Sequence, residues 1–345
     1  MRIFSVQVFW SDDQLKHDGG RFLKAGRLVP SPETPMRAVC IHDALAKLGF
    51  SISAPKDLGL EPLLRVHPSA YLDFLQSIHA RWTAEFGADA AVLPNVLAGG
   101  ECHHVPRSAV GALGVYVNDL AAEVRDGTWA ASYASAQCAA NAAHFVATSG
   151  KAAYALCRPP GHHAGADYAM GFCFMNNAAI AAQELRQHYA RVAIVDIDVH
   201  HGNGTQAIFY DRADVLTASM HSDPSNYYPF HTGYEDERGA GEGAGFNTNI
   251  CFAADTDDAG FLKAFTRLAE AVAAFQPDAV VVALGVDALR SDPHGGHHIT
   301  PDGFVALARL IRTWAVPTVF VQEGGYESEE LGLTVGQFLM EIADE

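Results

Sequence analysis

Three apolar runs limit what this chain can become. Residues 192–199, 279–285 and 318–322 are rich in Val, Ile and Ala. They lack the every-second-residue polar alternation of a strand with one wet face, and so suit strands buried on both sides of a parallel sheet. Residues 154–157 and 215–220 are weaker candidates for the same sheet, and residues 1–5 read as a short opening strand. Helical patterns lie between the strands. Phe261, Leu262, Phe265, Leu268, Val272 and Phe275 recur at helical spacing, and Pro277 ends that element. Thr300 caps and Pro301 starts another, which runs through Phe304, Leu307, Leu310, Ile311 and Trp314. The Ala-rich stretches 129–146 and 177–189 read as helices packed closely on the sheet. Alternating strands and helices predict an α/β fold with a doubly wound parallel sheet, as one domain over residues 1–345. Two stretches without period, residues 12–35 and about 87–106, read as long loops, which in compact domains are usually functional.

A doubly wound sheet places its site beyond the C-terminal ends of the strands. Four such ends carry polar residues that packing does not ask for: RPPGHHA (158–164), DIDVHHGNGT (196–205), LGVDA (284–288) and QEGGY (322–326). One alone would pass for a solvated strand end; four on one sheet converge on one crevice. In an extended segment residues i and i+2 face the same way, so Asp198 and His200 share a side, with Asp196 one step deeper. Asp287 ends an otherwise apolar run, where an unpaired carboxylate is costly unless it meets a cation. Asp198, His200 and Asp287 make an O, N, O ligand set with room for water and substrate, as a catalytic metal requires. That set favours Zn²⁺, and Fe²⁺ or Co²⁺ could take its place. His201 reads as structural.

His162 and His163 follow two prolines and a glycine that fix the chain sharply. They read as a base and acid pair beside the metal. Asp196 and Asn203 are the orienting partners, one for each ring. A carboxylate stabilises the imidazolium and an amide does not, so the ring on Asp196 should have the higher pKa. Tyr326 follows Gly324 and Gly325, which let the backbone bring a phenol close to a developing oxyanion. Two other features carry less. The glycine-rich segment 239–245 lacks the strand, helix and lysine of a phosphate loop and reads as flexible. Cys102, His103 and His104 lack companions at ligand spacing and read as a loop or interface.

The net charge of −17 makes the chain a poor candidate for nucleic-acid binding, which needs clustered Lys and Arg. No apolar run approaches a membrane span. The six cysteines form no CxxC pair and read as reduced, and the chain as cytoplasmic.

The motifs RPPGHHA, GFCFMNN, DIDVHHGNGTQ, GVDA and EGGY, in this order, resemble the arginase–deacetylase superfamily. Within it they resemble the zinc-dependent histone deacetylases and acetylpolyamine amidohydrolases. The likeness to the bacterial acetylpolyamine amidohydrolases extends over nearly the whole chain, through GRLVP (26–30), VHPSAY (66–71), GTW (127–129) and MHSDP (220–224). It implies a three-layer fold around a parallel sheet of about eight strands, one catalytic zinc, and hydrolysis of an N-acyl amine. By the same resemblance Asp198, His200 and Asp287 match the zinc ligands, His163 the main general base and acid, and Tyr326 the carbonyl-polarising phenol. Phe172 and Tyr228 match the aromatic walls of a substrate tunnel. Gly171 matches the residue whose carbonyl meets the substrate amide, and His294 takes a rim position that gates the tunnel. Structural K⁺ is implied at Asp196, Asp198, His200, Ser219 and Met220, and at Phe209, Arg212, Val215 and Phe246. The 12–35 loop looks like one that shapes a homodimer or higher oligomer. Three positions depart from polyamine-selective members. Val110 and Ala121 stand where those carry acids, and Lys24 where they carry tyrosine, leaving Asp119 or Glu123 as substitutes. The resemblance therefore implies an N-acetylated amine as substrate, an acetylpolyamine or a related small acyl-amine. Acetyl-lysine in proteins or peptides is the alternative, and a catalytically silent metal- or acyl-ligand-binding protein a third reading. A binuclear ureohydrolase would need more bridging aspartates.

Overall fold

The computed structural model describes residues 5–98, 102 and 104–343. Its strands are β1 (Gln7–Phe9), β2 (Arg21–Lys24), β3 (Arg27–Pro30), β4 (Ser51–Ser53), β5 (Ala153–Ala155), β6 (Val192–Asp196), β7 (Val215–Ser222), β8 (Asn247–Phe252), β9 (Ala279–Leu284) and β10 (Thr318–Gln322). Eight of them form one parallel sheet in the order β4-β1-β5-β10-β9-β6-β7-β8. The helices are α1 (Pro35–Leu48), α2 (Glu61–Leu64), α3 (Ser69–Phe86), α4 (Ala109–Tyr116), α5 (Thr128–Ser149), α6 (Asn177–Leu185), α7 (Asn203–Phe209), α8 (Asp258–Phe275), α9 (Pro301–Arg312) and α10 (Leu331–Ala343).

The apolar runs are central strands, as their composition requires. Side chains alternate across a strand, and both faces of β9 are covered. Ala279, Val281 and Ala283 join a core with α3, α4, α5 and α6, while Val280, Val282 and Leu284 join one with α1, α8, α9 and α10. The result is three layers. α5 lies close because its buried face is mostly alanine, from Ala131 to Ala143. Thr300 caps α9 through its hydroxyl, with Pro301 in the first turn. α8 stops at Phe275, and Gln276 takes the left-handed conformation.

Residues 12–35 differ from the expected structureless loop. They contain a 3-10 turn at Asp12–Lys16 and an antiparallel hairpin, β2 with β3, in register from Arg21 opposite Pro30 to Lys24 opposite Arg27. The opening strand is Gln7–Phe9; residues 1–4, where it was expected, lie outside the described residues. The 87–106 stretch has no helix or strand among its described residues, apart from a bridge between Val92 and Val124. His103 also lies outside them, and Cys102 is exposed. No cysteine is in a disulfide, and no helix among the described residues is long and apolar enough to cross a membrane.

Candidate active site

The four polar segments leave β5, β10, β9 and β6, which are consecutive in the sheet. Their loops therefore meet at one crevice beyond the strand ends. Asp198 and His200 come from the turn after β6, and Asp287 from the turn after β9. One ligand atom from each lies within 4.8 Å of the others. His200 Nδ1 is 3.0 Å from Asp198 Oδ1 and 3.0 Å from Asp287 Oδ2. Both carboxylates are fully buried. Burial, then the Asp198 charge opposite, pushes Asp287 up to about 7. Burial raises Asp198 too, but His162 and His200 overcome it and hold Asp198 below the usual range.

These residues fit a divalent cation. Two buried anions face each other, and among the described residues neither has a Lys or Arg ion-pair partner. Each needs compensating charge. Gly324 leaves the space open, since a Cβ there would fall onto Asp287 Oδ2 and Asp198 Oδ2. Backbone N–H groups orient the ligands: Gly324 donates to Asp198 Oδ2 at 2.7 Å, and Val199 to Asp287 Oδ1 at 3.0 Å.

The tandem histidines divide as a carboxylate–amide pairing demands. His162 Nδ1 sits 2.9 Å from Asp196 Oδ2, and His163 Nδ1 sits 2.7 Å from Asn203 Oδ1. Burial lowers His162, but Asp198 and Asp196 raise it to about 10. Burial, then His162 and His200, push His163 well below its ordinary value, and the Asn203 bond only partly offsets this. These surroundings thus favour the charged form of His162 and the neutral form of His163. Asp196 is committed to His162 and to the Asp198 N–H, and is not part of the metal cluster.

Tyr326 lines the same cavity and is buried. Burial keeps the phenol protonated; Arg37 opposes this and the carboxylates of the floor reinforce it. It is an O–H donor at neutral pH.

The family's sequence pattern, described as the histone deacetylase domain, matches residues 31–342. The chain belongs to the histone deacetylase family. Acetylpolyamine amidohydrolase 1 of Pseudomonas aeruginosa is 44% identical over 329 residues, covering 94% of this chain and 95% of that one. The acetylpolyamine amidohydrolase of Burkholderia pseudomallei is 42% identical over 337 residues, covering 96% and 97%. A crystal structure of acetylpolyamine aminohydrolase from Burkholderia pseudomallei superimposes with a TM-score of 0.94 at 40% identity, covering 98% of each chain. The expected fold, and the eight parallel strands, are those of this histone deacetylase family.

Around this family's site, several residues hold the reactive groups without touching the cavity floor. Asp292 Oδ2 accepts the Tyr326 N–H at 2.7 Å, while its Oδ1 accepts the N–H groups of His294 and Gly295 at 2.7 and 2.9 Å. Arg37 donates from Nε to the Gly325 carbonyl at 2.7 Å and stacks on the Tyr326 ring at 5.1 Å. Glu323 accepts the N–H groups of Gly161 and His162, at 2.6 and 3.0 Å, and so fixes the histidine turn. The contacts of Asp292 with Tyr326, of Arg37 with Gly325 and of Glu323 with the histidine turn span long stretches of sequence, so no local pattern announces them. His201 is buried between Thr232 and Gln206, a structural ring as expected.

The cavity is about 600 Å³. Gly171, Phe172, Tyr228 and His294 all line it. Phe172 has φ 67°, a conformation rare for a bulky residue and typical of strained functional turns. Tyr228 packs edge-on to His163 at 5.0 Å, and its hydroxyl donates to Asp119 at 2.8 Å. Tyr227 stacks on His200 at 5.0 Å, a contact with no local sequence signal. Lys24 and Ala121 also line the cavity, but Val110 packs against the core. Glu123 faces away, paired with Arg125 at 2.7 Å. As for the residues with implied K⁺ roles, Asp196 pairs with Ser219 across β6 and β7, next to Met220. Phe209 and Phe246 direct carbonyls to the N–H groups of Arg212 and Thr217, and Val215 opens β7.

Proposed function

We propose that this chain is a zinc-dependent amidohydrolase that removes the acetyl group from small acetylated amines, acetylpolyamines among them, giving acetate and the free amine. The observation that carries the reading is the joint presence, on four adjacent strand ends, of Asp198, His200 and Asp287 beside the His162–His163 pair and the Tyr326 phenol in one cavity. The names of the relatives support the substrate class. Asp198, His200 and Asp287 would hold the ion, which when bound polarises a carbonyl and acidifies water.

The residues do the rest. Phe172 and Tyr228 flank the alkyl chain, and Gly171 meets the amide N–H. His163 takes a proton from water as it attacks the carbonyl carbon. The Tyr326 hydroxyl donates to the oxygen as charge develops there. His162, charged through Asp196, adds positive potential beside that oxygen. As the C–N bond breaks, His163 returns its proton to the departing nitrogen, and Asn203 keeps the ring aimed. A silent binding protein would have no use for this base and phenol together.

Structural K⁺ at the two groups around Asp196 and Phe209 belongs to the same reading, supported by the family resemblance of those residues. Self-association through the hairpin does too, supported by the exposure of Leu23 and Leu28. The test is Tyr326→Phe. Turnover of N-acetylputrescine should fall about 10²–10³-fold while bound metal is retained. Wild-type rate in that variant would overturn the assignment.

A further inference from the structure

Outside the floor and its imidazoles, two side chains of acidic or basic type line the cavity, Asp119 and Lys24. They are not equivalent. Asp119 is spent on the wall. Its Oδ1 accepts the N–H groups of Ala121 and Ala122, at 3.0 and 3.2 Å; its Oδ2 accepts Gly171 N–H and the Tyr228 hydroxyl, at 3.0 and 2.8 Å. Four neutral donors occupy a carboxylate's lone-pair directions, leaving none for the ammonium of a ligand. Glu123, the other acid of this turn, is held by Arg125 and the Arg21 N–H outside the cavity. No carboxylate at the mouth is therefore free to receive a distal ammonium among the described lining residues.

Lys24 is the opposite case. It ends β2 at the tip of the hairpin and is exposed. Leu23 N–H donates to the Leu120 carbonyl at 3.4 Å, which ties the hairpin to the tunnel wall. The Lys24 ammonium has His294 Nδ1 as its contact, at 3.4 Å, and no ion-pair partner among the described residues. Burial, then Lys24 itself, lowers His294 to about 4, so the ring is neutral and offers a lone pair without neutralising the lysine. His294 in turn packs on Tyr326 at 5.0 Å and on Phe22 at 6.0 Å. The charge is thus held at the outer end of an aromatic channel, with donor capacity left over.

We propose that Lys24 makes this tunnel select, among small acetylated amines, those whose far end carries a carboxylate over those ending in an ammonium. This rests on the deacetylase reading above and names the substrate class of the same site. Acetylated diamines are turned over but rank below acetylated ω-amino acids. A charge-assisted contact at an exposed mouth accounts for about tenfold in kcat/KM.

The experiment compares N-acetyl-γ-aminobutyrate, N-acetylputrescine and N-butylacetamide on the zinc-loaded full chain. The carboxylate probe should exceed the ammonium probe about tenfold. That ratio should collapse in Lys24→Met, invert in Lys24→Glu, and shrink with added salt. An ammonium preference in the wild type, or a ratio that Lys24→Glu does not move, overturns the proposal while hydrolysis of N-butylacetamide leaves the deacetylase reading standing. No hydrolysis of any of the three overturns both.

Discussion

Replacing Asp292 by Asn should disable Tyr326 while leaving the fold and the metal ligands in place. Asp292 closes a tight turn through Oδ1, which accepts His294 N–H at 2.7 Å and Gly295 N–H at 2.9 Å, and it grips the Tyr326 N–H through Oδ2 at 2.7 Å. An asparagine keeps one acceptor, and the two turn contacts hold it. Its NH₂ then faces the Tyr326 N–H, donor against donor. A charge-assisted hydrogen bond worth about 1.5–3 kcal/mol is lost at the residue that aims the phenol. At about 1.4 kcal/mol per decade, kcat should fall roughly 10- to 100-fold if the loss is fully expressed. The assay is deacetylation kinetics in a double-mutant cycle with Tyr326→Phe. Once the hydroxyl is gone, Asp292→Asn should cost less than about twofold more, because both changes remove one function. Independent, multiplying losses, or a single variant at wild-type rate, would refute the positioning role.

Two further outcomes are expected. Asp287→Ala should lose the bound divalent ion, measured by metal analysis of the purified protein; retained stoichiometric zinc with near-normal rate would contradict the ligand set. His67 should contribute an acid-sensitive term to stability. It is fully buried, Nδ1 donates to the Ala166 carbonyl at 2.8 Å, and Nε2 accepts the Asn176 N–H at 3.0 Å. Burial lowers it from 6.5 to about 4. The unfolded chain therefore binds the extra proton first. Stability is complete above the unfolded value and drains as pH falls towards the folded one. Between pH 7 and 5 this group should cost about 2 kcal/mol, read from urea melts against His67→Gln. Identical pH slopes in the two proteins would dismiss it.

What the sequence made legible follows from where each interaction sits along the chain. β6, β9 and β10 announce themselves because both faces are buried and little polar can intrude. Asp198, His200, Asp287 and Tyr326 stand out because polar groups after such runs have no packing excuse. β8 was missed because its buried side chains Asn247, Thr248 and Asn249 are polar, with both asparagines donating to Gln206. The hairpin was missed because Arg21–Lys24 and Arg27–Pro30 alternate weakly and are mostly exposed. Arg37 and Asp292 were invisible as site residues because their partners are brought near only by the folded sheet.

The hairpin is a sheet of its own, separate from the eight-stranded sheet whose strand ends lead into Asp198, His200, Asp287, the paired imidazoles and the phenol. The hairpin's share of the mouth and the machinery are therefore built on different scaffolds. Residues at the tip can be exchanged without asking any central strand to repack. Appetite for one tail or another can drift by single substitutions there, while the bond-breaking apparatus beneath stays as it is.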